Sequence, residues 1–218
     1  MILAKLKAIV EVEHNAKLVA VSKTKPVEDI LKLYDEGQRI FGENRVQELV
    51  EKYDEMPKDI QWHIIGTLQK NKVKYIAPFV SLIHSIDSID LLKTANKEAA
   101  KNDRVMDVLL QIRIAEEETK QGFEWDELLQ DITKDVIDAL HNVRVVGVMG
   151  MASFVDDKNQ VQEEFSQLKH YFDILKKDIF SEDSFKEISM GMSGDYEIAL
   201  AQGATLVRIG SALFGSRN

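Results

Sequence analysis

The chain has 218 residues, of which 44% are hydrophobic and 30% charged, an ordinary composition for a soluble globular protein with enough apolar side chains for a core. Its net charge of -9 disfavours non-specific binding of nucleic acid or anionic lipid, although an acidic protein can still hold one phosphate in a local pocket. The absence of cysteine excludes disulfides, a thiolate nucleophile and cysteine metal ligands.

Targeting signals and linkers are both missing from the sequence pattern. The first residues, 1–5, show no basic segment followed by a long apolar run, and no apolar stretch approaches the roughly 20 residues that span a bilayer. We therefore expect a cytoplasmic protein that binds neither membranes nor nucleic acid. Only three prolines occur and no Pro/Gly/Ser-rich linker divides the chain, so we expect one domain over residues 1–218.

Short β-branched or apolar runs alternate with longer segments of helical period along the chain. The strands are predicted at 18–23, 39–42, 61–66, 81–86, 106–114, 143–149, 186–190 and 205–209. The helices are predicted at 27–37, 45–56, 69–77, 88–101, 126–141, 157–178 and 194–202, with a short final turn from Ser211. Pro26 at the start of the first helix and Ser88 as a cap of the fourth support these boundaries.

Eight strands that alternate with helices indicate parallel strands joined by helical crossovers. Eight such units in 218 residues predict a compact (β/α)8 TIM barrel. An open doubly wound sheet is the alternative, but it would normally carry a glycine fingerprint after the first strand, where residues 22–26 contain no glycine. The chain has neither a GxGxxG nor a Walker A motif, so dinucleotide and nucleoside triphosphate binding lose support.

Barrel active sites lie at the carboxyl ends of the strands, and Lys23 ends the first predicted strand. Alternation places Lys23 on one face with Val19 and Val21, but periodicity alone does not settle whether that face points inward. Lys23 is either a solvated lysine at a strand end or a partly desolvated amine able to form a Schiff base. Lys25 is its competitor for that role.

The next strands carry weaker signals. Asn44 follows the second strand in a Gly-Glu-Asn sequence that fits a turn and helix cap as well as a site. His63 in the third strand, and His84 and Ser85 in the fourth, are more often core residues than catalysts. The five histidines include no helical pair at metal-binding spacing, so we expect no metal site.

The last two strands carry the strongest local signal. Ser193 and Gly194 follow the seventh strand, and Gly210 and Ser211 follow the eighth. Hydroxyls and glycine amides in these two adjacent loops suit a phosphate dianion, which barrels often bind there. Arg208 lies between apolar residues of the eighth strand and needs a partner, either a carboxylate or a ligand heteroatom.

Five motifs occur in order and cover nearly the whole chain: residues 19–26 (VAVSKTKP), 41–48 (FGENRVQE), 62–72 (WHIIGTLQKNK), 189–195 (SMGMSGD) and 207–215 (VRIGSALFG). In these motifs the sequence resembles the pyridoxal 5′-phosphate (PLP) homeostasis proteins, which are single-domain PLP-binding proteins like the N-terminal domain of alanine racemase. The resemblance implies a fold-type III PLP barrel.

The resemblance also implies roles for single residues. Lys23 would hold PLP as a Schiff base, Arg208 would face the pyridine nitrogen, and Lys25 would be a second lysine that assists PLP exchange. The phosphate positions would be Ser193, Gly194, Gly210 and Ser211, and the pocket-wall positions would be Asn44, His63, Ser85 and Met149. Two departures are the short segment before the first strand, where we expect a truncated N-terminal helix, and the lack of an asparagine near 113–115.

Arginine beside the pyridine nitrogen disfavours a protonated ring and weakens PLP as an electron sink. A racemase also needs a second base, which fold-type III racemases take from a separate β-domain, and we expect none because the chain ends at Asn218. We therefore expect a monomeric carrier that stores, buffers and delivers PLP to apo-enzymes. The alternatives are a slow PLP-dependent racemase or lyase, and a phosphosugar barrel enzyme with a Schiff-base lysine.

Overall fold

Eight parallel strands pair in sequence order, and the eighth pairs with the first to close a barrel. This computed structural model describes residues 2–115 and 121–215. Closure confirms the predicted (β/α)8 barrel over the open doubly wound sheet. None of the helices in the described ranges is long and apolar enough to cross a membrane.

The elements have the following bounds. The strands are β1 (Lys17–Val21), β2 (Ile40–Glu43), β3 (Gln61–Ile64), β4 (Leu82–Ile86), β5 (Met106–Gln111), β6 (Val143–Met149), β7 (Glu187–Met192) and β8 (Leu206–Ile209). The helices are α1 (Ile2–Lys7), α2 (Val27–Asp35), α3 (Val46–Glu55), α4 (Val73–Ile76), α5 (Ile89–Ala100), α6 (Trp125–Asp131), α7 (Lys134–Asp138), α8 (Lys158–Asp178), α9 (Tyr196–Ala201) and α10 (Ser211–Phe214). A π-helical turn (Ala8–Glu13) follows α1, and a 3-10 turn (Lys70–Lys72) precedes α4.

The barrel interior holds a small apolar cluster that is separate from the main core. Val19, Leu82, Leu109, Val146 and Leu206 pack together, although they come from five different strands. Only the inside of a closed barrel brings such residues into contact. The face of β1 that carries Val19 therefore points inward, which settles the question that periodicity had left open.

The main core lies between the outer face of the barrel and the helices. Leu18 and Ala20 of β1 belong to it, as do Phe165 and Leu168 of α8, and all four are fully buried. The spacing of the buried residues on α8 places them on one helical face, as the amphipathic pattern predicted. The core around the barrel thus fixes each helix over its own pair of strands.

The first strand is shorter than predicted. The prediction that it runs to Lys23 is wrong, because β1 ends at Val21 and Ser22 starts a tight turn. In that turn the carbonyl of Ser22 accepts a hydrogen bond from the backbone N–H of Lys25, at 3.0 Å. Lys23 therefore lies in a loop beyond the carboxyl end of the strand.

Other boundaries also differ from the prediction. The fifth strand ends at Gln111 instead of residue 114, because the chain there turns to pair with Phe123. The seventh strand extends beyond its predicted end to Met192. The single helix predicted at 126–141 is two helices, because Thr133 accepts the N–H of Val136 and so caps a new start.

The N-terminal segment forms a helix before β1 where a truncated one was expected. Residues 2–13 are helical, and Leu3, Leu6 and Val10 are buried in the main core. Their spacing of three and four residues is that of one helical face. The segment is therefore part of the packed structure.

We predict that Leu168→Ala lowers the free energy of unfolding by about 2–5 kcal/mol, because it leaves a cavity under α8 where Leu168 is fully buried. Leu129→Ala is the matched control, since Leu129 is also helical but 39% exposed, and it should cost less than about 1 kcal/mol. Urea unfolding followed by circular dichroism measures both values. Equal losses in the two variants would contradict this account of the core.

Candidate functional site

A cavity of about 680 Å³ opens at the carboxyl ends of the strands. The loops after β1, β2, β6, β7 and β8 contribute to it. It brings together most of the residues singled out from the sequence, namely Lys23, Lys25, Asn44, Ser193, Gly194, Arg208, Gly210 and Ser211. Lysine amines, hydroxyls and glycine amides thus converge on one space at the mouth of the barrel.

Three of the predicted pocket positions lie away from this cavity. Met149 is buried in the interior apolar cluster, and Met151, two residues further along, lines the cavity. Ser85 is buried, and its hydroxyl has no hydrogen-bond partner among the described residues. His63 lines a second cavity, of about 420 Å³, at the opposite end of the barrel. These positions are deeper in the barrel than the resemblance implied.

The turn that carries Lys23 is held on both sides by hydrogen bonds. The N–H of Ser22 donates to the carbonyl of Gly42 at 3.0 Å, which ties the turn to β2. The next residue after Lys23 is Thr24, which has a left-handed backbone with φ of 63°. Its N–H donates to Oε1 of Glu48 at 2.6 Å, and this bond offsets part of the cost of that conformation.

A buried lysine connects this turn to α3. Nζ of Lys52 donates to the Ser22 carbonyl at 2.8 Å, to Oε1 of Glu43 at 2.7 Å and to Oε1 of Glu48 at 2.6 Å. The hydroxyl of Ser22 also donates to Oε1 of Glu43, at 2.6 Å. The sequence analysis did not identify this cluster. Its only local signal is the i, i+4 spacing of Glu48 and Lys52 on one helix.

Two carboxylates in this cluster share a single ammonium group. The side chain of Glu43 is fully buried, and its Oε2 has no hydrogen-bond partner among the described residues. Burial raises the pKa of Glu43, against the opposing charge of Lys52. The cluster therefore places two carboxyl groups on one ammonium group, directly behind the Lys23 turn.

Asn44 forms the wall of the cavity at the end of β2. Its Oδ1 is buried and without a hydrogen-bond partner among the described residues. Gly66 makes this position possible, since a Cβ there would lie 2.6 Å from the carbonyl oxygen of Asn44. Glycine at 66 thus allows the two loops to touch, a role that the sequence motif alone did not reveal.

The loops after β7 and β8 form one continuous cradle. The N–H of Gly210 donates to the hydroxyl of Ser193 at 3.2 Å, which joins the two loops directly. A Cβ on Gly194 would meet nothing within 4 Å, so the space beside this residue is open. Lys25 reaches the same region, where its Nζ donates to the carbonyl of Phe214 at 3.3 Å. The geometry suits a small anion near the β7 and β8 loops.

Arg208 lines the cavity from the barrel floor. It is only 4% exposed, and it donates from Nη1 to the hydroxyl of Ser189 at 2.6 Å and from Nη2 to the carbonyl of Gly150 at 3.1 Å. Burial lowers the pKa of Arg208 to about 10, and the charge of Asp195 partly opposes this shift. Both acceptors are neutral, so neither hydrogen bond cancels the positive charge that the guanidinium brings to the cavity.

The chain resembles known proteins over nearly its whole length. A sequence profile described as the alanine racemase N-terminal domain matches residues 2–218. A solved alanine racemase of Clostridium difficile superposes with a TM-score of 0.78 at 16% identity, over 99% of this chain and 55% of that one, a likeness that shows the fold alone. The chain is therefore an alanine-racemase-type barrel.

Similar proteins of known class narrow this assignment. The pyridoxal phosphate homeostasis protein of Aquifex aeolicus is 42% identical over 206 residues, which cover 94% of this chain and 89% of that protein. The protein of the same name from Helicobacter pylori is 36% identical over 92% of this chain. A structure of PipY from Synechococcus elongatus with PLP bound has a TM-score of 0.88 at 32% identity, over 98% of both chains. The chain belongs to the pyridoxal phosphate homeostasis protein family.

We predict that Glu43→Gln changes the pH dependence of stability. Folding raises the pKa of Glu43 above its ordinary 4.5. The stability that this group contributes is therefore fully present below pH 4.5, and it is lost as pH rises through the pKa of the folded state. The wild type should lose stability relative to Glu43→Gln as pH rises above 4.5, by at most about 1.4 kcal/mol per pH unit.

Urea titrations at a series of pH values measure this difference. Glu55→Gln is the control, because Glu55 is exposed at the end of α3. Parallel stability curves for the wild type and Glu43→Gln would contradict the raised pKa.

Proposed function

We propose that this chain binds PLP through Lys23 and stores, buffers and delivers it in the cytoplasm. The observation that carries the proposal is the convergence of Lys23, Asn44, Arg208 and the β7 and β8 loops on one cavity. Membership of the pyridoxal phosphate homeostasis family supports it, as does the PLP-bound structure of PipY.

The residues of the cavity fit the functional groups of PLP. When bound, PLP supplies an aldehyde that condenses reversibly with an amine, and Lys23 and Lys25 both line the cavity. Asn44 also lines the cavity, and a side-chain amide can form hydrogen bonds with a ligand hydroxyl. The cavity of about 680 Å³ is large enough for a ligand of this size.

We assign the phosphate to the cradle formed by the β7 and β8 loops. Ser193, Gly194, Gly210 and Ser211 all line the cavity there and offer backbone N–H groups and hydroxyls. Such donors bind a dianion more strongly than a neutral group because each hydrogen bond is charge-assisted. Lys25 lies beside the cradle through its contact with Phe214, which is consistent with a part in exchange of the ligand.

The positive charge of Arg208 favours a PLP carrier over a PLP-dependent catalyst. A cation facing the pyridine nitrogen disfavours protonation of that nitrogen, and an unprotonated ring is a poor electron sink. Both of its hydrogen-bond acceptors are neutral, so these two partners do not cancel the charge. This arrangement supports holding the cofactor more than driving carbanion chemistry on it.

The residues of the cavity wall and the proteins that receive PLP are also part of what we propose. We propose Asn44 as a direct wall residue, with His63, Ser85 and Met149 acting from the layer beneath. We further propose that residues 1–218 work as one monomeric domain without a metal, and that PLP-dependent apo-enzymes receive the cofactor. Slow racemase or lyase activity is the alternative outcome, together with a phosphosugar enzyme that uses Lys23.

We predict that the protein mixed with PLP shows the visible absorption band of a lysine-bound cofactor, and that Lys23→Ala abolishes it. Borohydride reduction followed by mass spectrometry should place the pyridoxyl group on Lys23. Lys97→Ala, at an exposed position of α5, is the matched control and should retain the band. Label scattered over surface lysines, or trapping of a sugar phosphate without PLP, would oppose the proposal.

We predict that the PLP-loaded protein shows no Lys23-dependent interconversion of D- and L-alanine. We also predict that it activates the apo-form of a PLP-dependent enzyme. Chiral chromatography of the amino acid and the regained activity of the apo-enzyme are the two measurements. Lys23→Ala mixed with the same amount of PLP separates delivery by the protein from delivery by free cofactor. Substantial Lys23-dependent racemisation would favour the slow enzyme over the carrier.

A further inference from the structure

Four buried side chains form a continuous hydrogen-bonded row through the inside of the barrel. Nη1 of Arg208 lies 2.6 Å from Oγ of Ser189, and Nδ1 of His84 lies 2.8 Å from the same oxygen. Nε2 of His84 then lies 2.9 Å from Nδ1 of His63. None of the four residues is more than 4% exposed. We call this row the Arg208–His63 relay.

The relay connects the two ends of the barrel. Arg208 lines the cavity proposed for PLP, whereas His63 lines the cavity at the opposite end. Ser189 on β7 and His84 on β4 make the contact across the interior, because these strands are not neighbours in the sheet. The proposed site therefore has a polar connection to the far end of the molecule.

The hydrogen positions in the relay follow from Arg208. A guanidinium has only donors, so Oγ of Ser189 accepts from it. The single hydrogen of Ser189 then goes to Nδ1 of His84, which leaves the hydrogen of that imidazole on Nε2. That hydrogen is donated to Nδ1 of His63, whose own hydrogen is on Nε2. Every bond runs in one direction, away from Arg208.

The opposite arrangement leaves a buried hydrogen without a partner. If Nδ1 of His84 donated to Ser189, the serine oxygen would accept twice and its own hydrogen would have no acceptor in the relay. Ser189 is fully buried, so this lost hydrogen bond would be costly. The direction set by Arg208 is therefore the one that gives the hydrogens of both Ser189 and His84 an acceptor.

Both imidazoles are neutral in this arrangement. Burial and, to a smaller extent, the charge of Lys17 lower the pKa of His63 to about 3. Burial also lowers the pKa of His84 well below its ordinary value, with contributions from His63 and Arg208. The charged groups that act on the two rings are all cations, so Arg208 is the one charge in the relay.

We propose that Ser189 and His84 are positioning residues, which hold Arg208 against the cofactor through neutral groups that do not cancel its charge. The carboxylate of Asp195, which also lines the cavity, acts on Arg208 in addition. A carboxylate in the place of Ser189 would hold Arg208 equally well but would cancel its charge. His84 gives the serine hydrogen an acceptor, and His63 does the same for His84. This inference rests on the proposed PLP site for its purpose but not for its geometry.

The geometry is tested on the protein without PLP. Long-range ¹H–¹⁵N NMR of the imidazoles should show both His63 and His84 with hydrogen on Nε2 and no titration between about pH 5 and 8. Ser189→Ala should remove the preference of His84 for that tautomer. Hydrogen on Nδ1 of His84 in the wild type, or titration of either ring in that range, would overturn the relay.

The purpose is tested with PLP by exchanging His84. Asparagine can accept from Ser189 as Nδ1 does, whereas leucine cannot. His84→Leu and Ser189→Ala should weaken PLP binding about tenfold, the loss of one hydrogen bond to a charged group, and make the absorption band pH-dependent. His84→Asn should stay within about twofold of the wild type, and His141→Asn, at an exposed position, is the control.

The two experiments separate the two ideas. If the wild type does not bind PLP, the proposed function fails while the NMR result still decides the relay. If the wild type binds PLP and His84→Leu and Ser189→Ala match it in affinity and pH profile, the positioning role is refuted. If His84→Leu does not fold, Ser189→Ala and His84→Asn give the same comparison.

Discussion

Pairing of β8 with β1 is the contact on which the rest of the site depends. It joins the last strand to the first through four residue pairs, from Lys17 with Leu206 to Ala20 with Ile209. Without it, the turn that carries Lys23 and the loop at Gly210 would lie at opposite edges of an open sheet. Closure instead brings Gly210 so close to Val21 that a Cβ on Gly210 would lie 3.2 Å from Cβ of Val21. The Lys23 turn and the phosphate cradle therefore share one cavity.

The two buried cations, Lys52 and Arg208, are held by different kinds of hydrogen-bond partner. Lys52 is surrounded by Glu43, Glu48 and a carbonyl, and its hydrogen bonds to them fix a turn. Arg208 donates to a hydroxyl and a carbonyl, neither of which cancels its charge, and the carboxylate of Asp195 acts on it from the cavity lining. Buried charge is costly in both places, and the difference in partners indicates which charge is structural and which acts on a ligand.

Sequence reasoning reached the fold and the loop residues because both follow from local patterns. Alternation of strands and helices predicted the barrel, and the ends of parallel strands placed Lys23, Ser193 and Gly210 on one rim. The sequence does not predict how deep in the barrel a residue lies. Met149 was therefore expected in the pocket wall, whereas Met149 is buried in the interior and Met151 lines the cavity. The Lys52 cluster and the His84 contacts join distant segments, and only the packed structure brings them together.

The contact between Gly66 and Asn44 has a consequence for how the cavity can move. Because no methyl group fits between them, the ends of β2 and β3 are in direct contact, and a side chain at position 66 would force these two loops apart. On the other side of the rim the β6–α8 loop carries Phe154, 96% exposed, next to Val155. We therefore expect any widening of the mouth that admits a flat aromatic ring to occur at the β6–α8 loop.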